Sequence, residues 1–267
     1  KISKETLSEQ TLMQLIIEKV YNTHRFYTPE WDFLPVNSWY GVALHRDGSV
    51  ESINWIHDET EEDYECFSGS IDLRWVPRHC VRLQLHYHEV HGTVNTNDLP
   101  DELKEIVLTG TKLSGTFSLS GLPRRLEVLD IDSNNFDGSL AFEDMPRSMT
   151  EFFIRSSNFS GSVNLRGLPA RLKSLHLSDN AFSGHVDMND LPPTLTIVYI
   201  DGNQFQQEEL VIDSRTNRRV TLDSGEDRIR SVKTCDGKEP TTHFRFRNVI
   251  EVFVGPHEVQ QVGEVNV

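Results

Sequence analysis

The sequence predicts an α/β solenoid: a stack of near-identical coils with a helical amino-terminal cap and a β-rich carboxy-terminal extension. Three columns of residues predict it. Prolines recur every 23 residues at Pro77, Pro100, Pro123, Pro146, Pro169 and Pro192. Glycines keep the same step at Gly69, Gly92, Gly115, Gly138, Gly161 and Gly184. An apolar column runs Phe67, Val90, Leu113, Phe136, Phe159, Phe182 and Phe205. Three columns in one register mark a chain that retraces one path, each coil burying its apolar side on the next.

The elements follow in order. Leu7, Leu12, Leu15, Ile16 and Val20 repeat at helical spacing, so Ser3 to Tyr21 predicts an amphipathic helix, with Ser3 and Thr6 as N-cap choices. Thr23 to Ser38 carries Phe26, Tyr27, Trp31 and Phe33 with two prolines and reads as an irregular, aromatic-packed segment completing a cap over residues 1–49. Residues 50–205 divide into seven coils, the first starting at Val50 and the later ones at Cys80, Leu103, Leu126, Met149, Leu172 and Leu195. In the coil Leu126-x-x-Leu129-x-Ile131-x-x-Asn134-x-Phe136-x-Gly138-x-Leu140-x-Phe142, the alternation of Leu129 and Ile131 predicts a short strand with one buried face. Asn134 sits where the backbone turns away and can satisfy turn amides of its own and the neighbouring coil. Gly138 permits a bend or a positive φ, and Leu140 with Phe142 predicts a second alternating segment, stopped by the next Leu-Pro pair. Residues 57–66 are an insertion rich in Asp and Glu. After Phe205 the columns fail, so the stack is expected to end there. Residues 206–267 then supply a cap, with Glu209–Ile212 and Arg219–Leu222 predicted to pair as a hairpin, and a polar tail.

This pattern resembles the leucine-rich repeat family, in the variant found in plant receptor-like proteins and many protist proteins. The phrase Trp39-Tyr40-Gly41-Val42 resembles the cap that precedes such repeats. The resemblance implies a horseshoe whose parallel sheet lines the concave side and binds another macromolecule. It departs from the plant-type cap at Ser38 and His45, near places where cysteines are usual. That absence favours an intracellular, reducing compartment, with secretion as the alternative.

Composition narrows the function. The net charge is −15, which argues against direct nucleic-acid binding or a grip on anionic lipid. No apolar run approaches the ~20 residues that span a bilayer, so no membrane insertion is expected. Cys66, Cys80 and Cys235 are too few and uneven for a disulfide framework, and Cys80, at an inward strand position, predicts a buried thiol. His86, His88 and His91 with Glu89 invite a zinc reading, but the coil register sends them to different walls, and no metal or cofactor is expected. No nucleophile elbow, P-loop or metalloprotease helix is present, and the chain reads as non-enzymatic.

The register also names a working surface. Between the two inward residues of each strand stand Asn54, Gln84, Val107, Asp130, Phe153, His176 and Tyr199, and just after them Ile56, His86, Thr109, Asp132, Arg155, Ser178 and Asp201. Aromatic side chains and an arginine on an otherwise polar sheet are interface residue types. Gln84, His86, Asp130, Asp132, Phe153, Arg155, His176, Tyr199 and Asp201 are the candidate protein-binding residues. The expected function is a noncatalytic scaffold that binds a protein partner through its concave face, within a larger intracellular complex. A secreted or receptor-like recognition domain is the alternative.

Overall fold

The structure is a computed structural model that describes residues 3–57, 66–213, 215, 217–223, 228–246 and 249–254. Most of the acidic insertion and the polar tail lie outside these residues.

Among the described residues, an eleven-stranded sheet and an eight-stranded sheet run along the stack. The long sheet is parallel from Val50–Ile56 through Arg82–His86, Glu105–Val107, Val128–Asp130, Glu151–Phe153, Ser174–His176 and Ile197–Tyr199 to Arg218–Asp223. Its register equals the coil period: Phe152 lies beside Leu175 and Leu175 beside Val198. The inward residues Leu129, Ile131, Phe152, Ile154, Leu175 and Leu177 are fully buried.

The second sheet departs from expectation. Its strands are Asn135–Gly138, Asn158–Gly161 and their equivalents, so the strand precedes and includes the column glycine. The segment carrying Phe142 is a 3-10 turn, Phe142–Asp144, rather than a second alternating strand. The physical reason is that the buried Phe136 column already supplies the apolar face of that wall, and the glycines behind it turn at positive φ, 85° at Gly138 and 86° at Gly161. Phe142 then closes the core from the return side.

The second to seventh coils turn out of the long sheet through a left-handed residue: Tyr87, Gly110, Ser133, Ser156, Asp179 and Gly202 all have positive φ. After three of these turns an asparagine bonds the coils together. Asn180 Nδ2 donates to the carbonyls of Leu177 at 3.2 Å, Ser178 at 3.1 Å and, in the preceding coil, Ile154 at 2.8 Å. Its Oδ1 accepts from the amide of Phe159 at 3.1 Å. Asn134 and Asn203 repeat the arrangement, accepting from Leu113 and Phe182. His88 holds the equivalent place: it is buried, and its Nδ1 accepts from the Phe67 amide at 3.1 Å. The ring therefore serves as a neutral acceptor, and burial pushes its pKa down to about 3.

Both ends differ from the sequence reading. The helix covers only Glu9–Ile16, capped by Ser8, whose hydroxyl accepts from the Thr11 amide at 3.2 Å. Ser3 caps a separate 3-10 turn, and Lys19–Tyr21 is a strand that pairs antiparallel with Ser68–Ser70. The open edge of the second sheet claims that segment, because its unpaired amides gain partners there. The rest of the cap is aromatic: Phe26 stacks on Trp39 at 4.5 Å and Tyr27 on Phe33 at 4.3 Å. At the carboxy end, Gln207–Ile212 and Arg218–Asp223 do not form the expected hairpin. Arg218–Asp223 continues the long sheet beside Ile197–Tyr199, so the sheet does not end at Phe205. Gln207–Ile212 pairs parallel with Ile229–Thr234. Val249–Val254 and Thr241–Phe246 then close the long sheet in antiparallel fashion.

The His88 geometry sets an acid response. A histidine neutral in the fold but able to protonate near 6.5 when unfolded contributes stability above that pH and loses it progressively down to about pH 3. His88→Asn installs the side chain used at Asn134, Asn180 and Asn203. Melting temperature measured from pH 7 to pH 4 should fall less steeply for His88→Asn than for the parent chain; parallel curves would contradict the assignment.

Candidate functional site

The long sheet turns every second residue to the side opposite the core, where most are part-exposed and Val107 and Thr221 are buried, and the observed pairing sets those residues side by side. Gln84 lies beside Val107, Val107 beside Asp130, Asp130 beside Phe153, Phe153 beside His176, and His176 beside Tyr199. All nine candidate residues fall on this face. Phe153, His176 and Tyr199 form a continuous ladder, with ring centroids 4.3 Å apart in the first pair and 4.5 Å in the second. Each ring is half-buried, flanked by its neighbours along the ladder but open on the solvent side. The Arg219 guanidinium lies 5.8 Å from the Tyr199 ring and is ion-paired to Glu251.

The charged residues sort into two kinds. Arg155 is tied down, its Nε donating to Asp179 at 3.0 Å. Asp179 owes its position to the left-handed turn, where its carboxylate reaches one coil back. The carboxylates of Asp130 and Asp132 interact with backbone instead: the Asp132 amide donates to Asp130 Oδ1 at 3.0 Å, and the Arg155 amide donates to Asp132 Oδ1 at 2.5 Å. Among the described residues neither carboxylate makes an ion pair. Burial first, and the adjacent Asp130 second, push the Asp132 pKa up to about 7. Asp201 accepts from the hydroxyls of Ser178, at 2.8 Å, and Thr221. Burial first, then Arg155, lowers the His176 pKa to about 4, so its ring is neutral at physiological pH, and its Nε2 is buried with no hydrogen-bond partner.

The amino-terminal part of the face is looser. The Gln84 side-chain amide donates to Glu105, and His86 is half-buried with its pKa lowered by burial. His86 faces solvent from the long sheet, His88 is interior and His91 is exposed on the second sheet, so the three histidines diverge. No group of three metal-binding side chains is assembled among the described residues.

Sequence reasoning missed Asp179, Thr221 and Arg219. Asp179 lies one position beyond the rows read as solvent-facing, and only the turn conformation brings it to Arg155. Thr221 and Arg219 belong to a strand whose step from Val198 to Val220 falls one residue short of the period. The alternation Val220-x-Leu222 marked the strand, but its place beside Ile197–Tyr199 was not read from it.

A model of the Leucine Rich Repeat family matches residues 171–191, which fall within the coil that carries His176 and Asn180. That stretch is matched as a leucine-rich repeat, and the coils from Cys80 onward repeat its 23-residue period. The fold is similar to that of Pollen Receptor Kinase 3, at 21% identity and a TM-score of 0.55, over 75% of this chain and 96% of that one. It is also similar to a plant ice-binding protein, at 15% identity and a TM-score of 0.51, over 87% of this chain and 88% of that one. No curated protein matches the sequence.

The Asp132 environment yields a pH response of opposite sign to that of His88. Its folded pKa lies above the unfolded value of 3.8, so its contribution is largest below that pH and is lost as pH rises through about 7. Asp132→Asn keeps the acceptor oxygen for the Arg155 amide and removes the charge. The variant should melt a few degrees above the parent at pH 8 and level with it near pH 4; an unchanged difference across that range would contradict the buried-carboxylate geometry.

Proposed function

We propose that this chain is a noncatalytic recognition module that binds a protein or peptide through the solvent face of its long sheet, the concave face of the leucine-rich repeat reading. The observation that carries the proposal is the Phe153–His176–Tyr199 ladder. Inward packing does not explain it, since Phe152, Ile154, Leu175, Leu177, Val198 and Ile200 already fill the core. Three stacked rings on a solvent face leave apolar area that a partner can cover, and rigid aromatic side chains lose little conformational freedom when they are covered.

Two settings compete for this role. The fold shared with a receptor kinase supports a receptor-like or secreted recognition domain. The cap without cysteines at Ser38 and His45 supports an assembly subunit inside the cell. The receptor-like setting is the better supported, because the aromatic cap gives a cysteine-independent way to close the stack and so removes the objection that the missing cysteines raised. No helix among the described residues is long and apolar enough to cross a membrane.

The test is a double substitution. Phe153→Ala with Tyr199→Ala should leave the melting temperature within a few degrees of the parent, because both rings lie outside the core. It should weaken partner binding by roughly 2 kcal/mol or more, the size expected of aromatic hot spots. Retained affinity, measured by titration calorimetry with a captured partner, would place the binding surface elsewhere.

A further inference from the structure

The sheet face has a charge asymmetry that its sequence rows do not show. The arginines on its solvent side are each held by a carboxylate: Arg82 by Glu51 at 3.8 Å, Arg155 by Asp179 at 3.0 Å and Arg219 by Glu251, while the buried Arg218 donates to backbone carbonyls. The reverse is not true. Asp130 ends its strand and Asp132 follows two residues on, and neither is ion-paired with a cationic side chain among the described residues. Asp201, three coils away, accepts from the hydroxyls of Ser178 and Thr221. The face therefore offers anionic groups in excess, and it does so beside the aromatic ladder, since Asp130 is the register neighbour of Phe153.

Physical chemistry limits what fits there. A partner that covers Phe153 also removes water from Asp130 and Asp132, and an uncompensated carboxylate in that position is costly. The cost already shows in Asp132, whose carboxyl resists ionisation because it is part-buried beside a like charge. An anionic or purely apolar partner would aggravate it. A guanidinium or ammonium group offsets it and gains charge-assisted hydrogen bonds. Spacing points to an extended chain. Strands lie ~4.8 Å apart, and an extended peptide returns a side chain to the same face every ~6.7 Å. A chain laid across the strands would thus set a cation over Asp130 and Asp132 and an apolar or aromatic side chain on the ladder two or three positions along.

We propose that the face is a docking site for an extended, basic peptide segment of a partner protein, with an arginine or lysine seated over Asp130 and Asp132 and a neighbouring apolar side chain stacked on Phe153, His176 and Tyr199. The proposal rests on the recognition role given above and adds the chemistry of the partner.

The test uses a displayed library of random dodecapeptides, panned on the full chain. The Phe153→Ala/Tyr199→Ala and Asp130→Asn/Asp132→Asn chains serve as parallel baits, and each is first checked for folding by its melting curve. If the double Asn chain does not fold, the single Asp130→Asn chain takes its place. Recovered peptides should carry Arg or Lys two or three positions from an apolar or aromatic residue. Their affinity should fall on the order of tenfold or more on the Asn chain and should weaken with added salt on the parent but less on the variant. Peptides that need the aromatic residues but show no cationic preference, and that bind the Asn chain equally well, would overturn this proposal and leave the recognition role standing. Peptides indifferent to both variants, or none recovered, would overturn both. Self-association abolished by the same substitutions would put a second copy of the chain on this face and overturn the peptide assignment.

Discussion

The structure depends on one side chain repeated at intervals: an asparagine whose amide group bonds three carbonyls and whose oxygen takes a backbone amide from the coil before. A left-handed turn leaves main-chain groups pointing into the stack, where no water can reach them, and each unpaired group there would cost ~1–3 kcal/mol. Asn134, Asn180 and Asn203 satisfy those groups on two coils at once. They do more than close a turn, because they fix the distance and angle between consecutive coils. His88 shows that the requirement is for an acceptor of the right reach rather than for an asparagine as such.

Once the coils are locked in that register, the sheet face follows. Residues one period apart in sequence become neighbours in space, and a property that looks scattered along the chain becomes a surface. Phe153, His176 and Tyr199 are far apart in sequence and stacked in the structure. The same lock separates the charges. Arg155 finds Asp179 because both the strand and the next turn are rigidly placed, while Asp130 and Asp132 are left facing solvent. The face is a consequence of stacking: the inward side of each strand is committed to the core, and the outward side is not.

Much of this was legible in the sequence because the stack is periodic. The proline, glycine and apolar columns located the coils, the alternation of Leu129 and Ile131 separated inside from outside, and the solvent-facing rows followed by counting. What failed to read out was whatever the period does not govern. The helix stops at Ile16, although the apolar spacing continues, because Lys19–Tyr21 satisfies a sheet edge that no local pattern announces. The carboxy-terminal strand joins the long sheet although its columns are lost, since backbone pairing needs only a strand of the right length in the right place. Leu140 and Phe142 look like an alternating strand, but the strand lies one step earlier because the glycines already bend the chain behind it. Asp179 was missed because its reach depends on a turn conformation that spacing alone does not specify.

The lock between coils is most directly tested by residue-resolved amide hydrogen exchange. The amides of Phe159 and Phe182 donate to asparagine side chains of the following coil. The account requires them to exchange with the slowest class of the chain, opening only when the stack itself unfolds. Exchange as fast as that of an exposed turn amide such as Gly167 would show that the side-chain ladder does not hold the coils, and the face built upon it would lose its foundation.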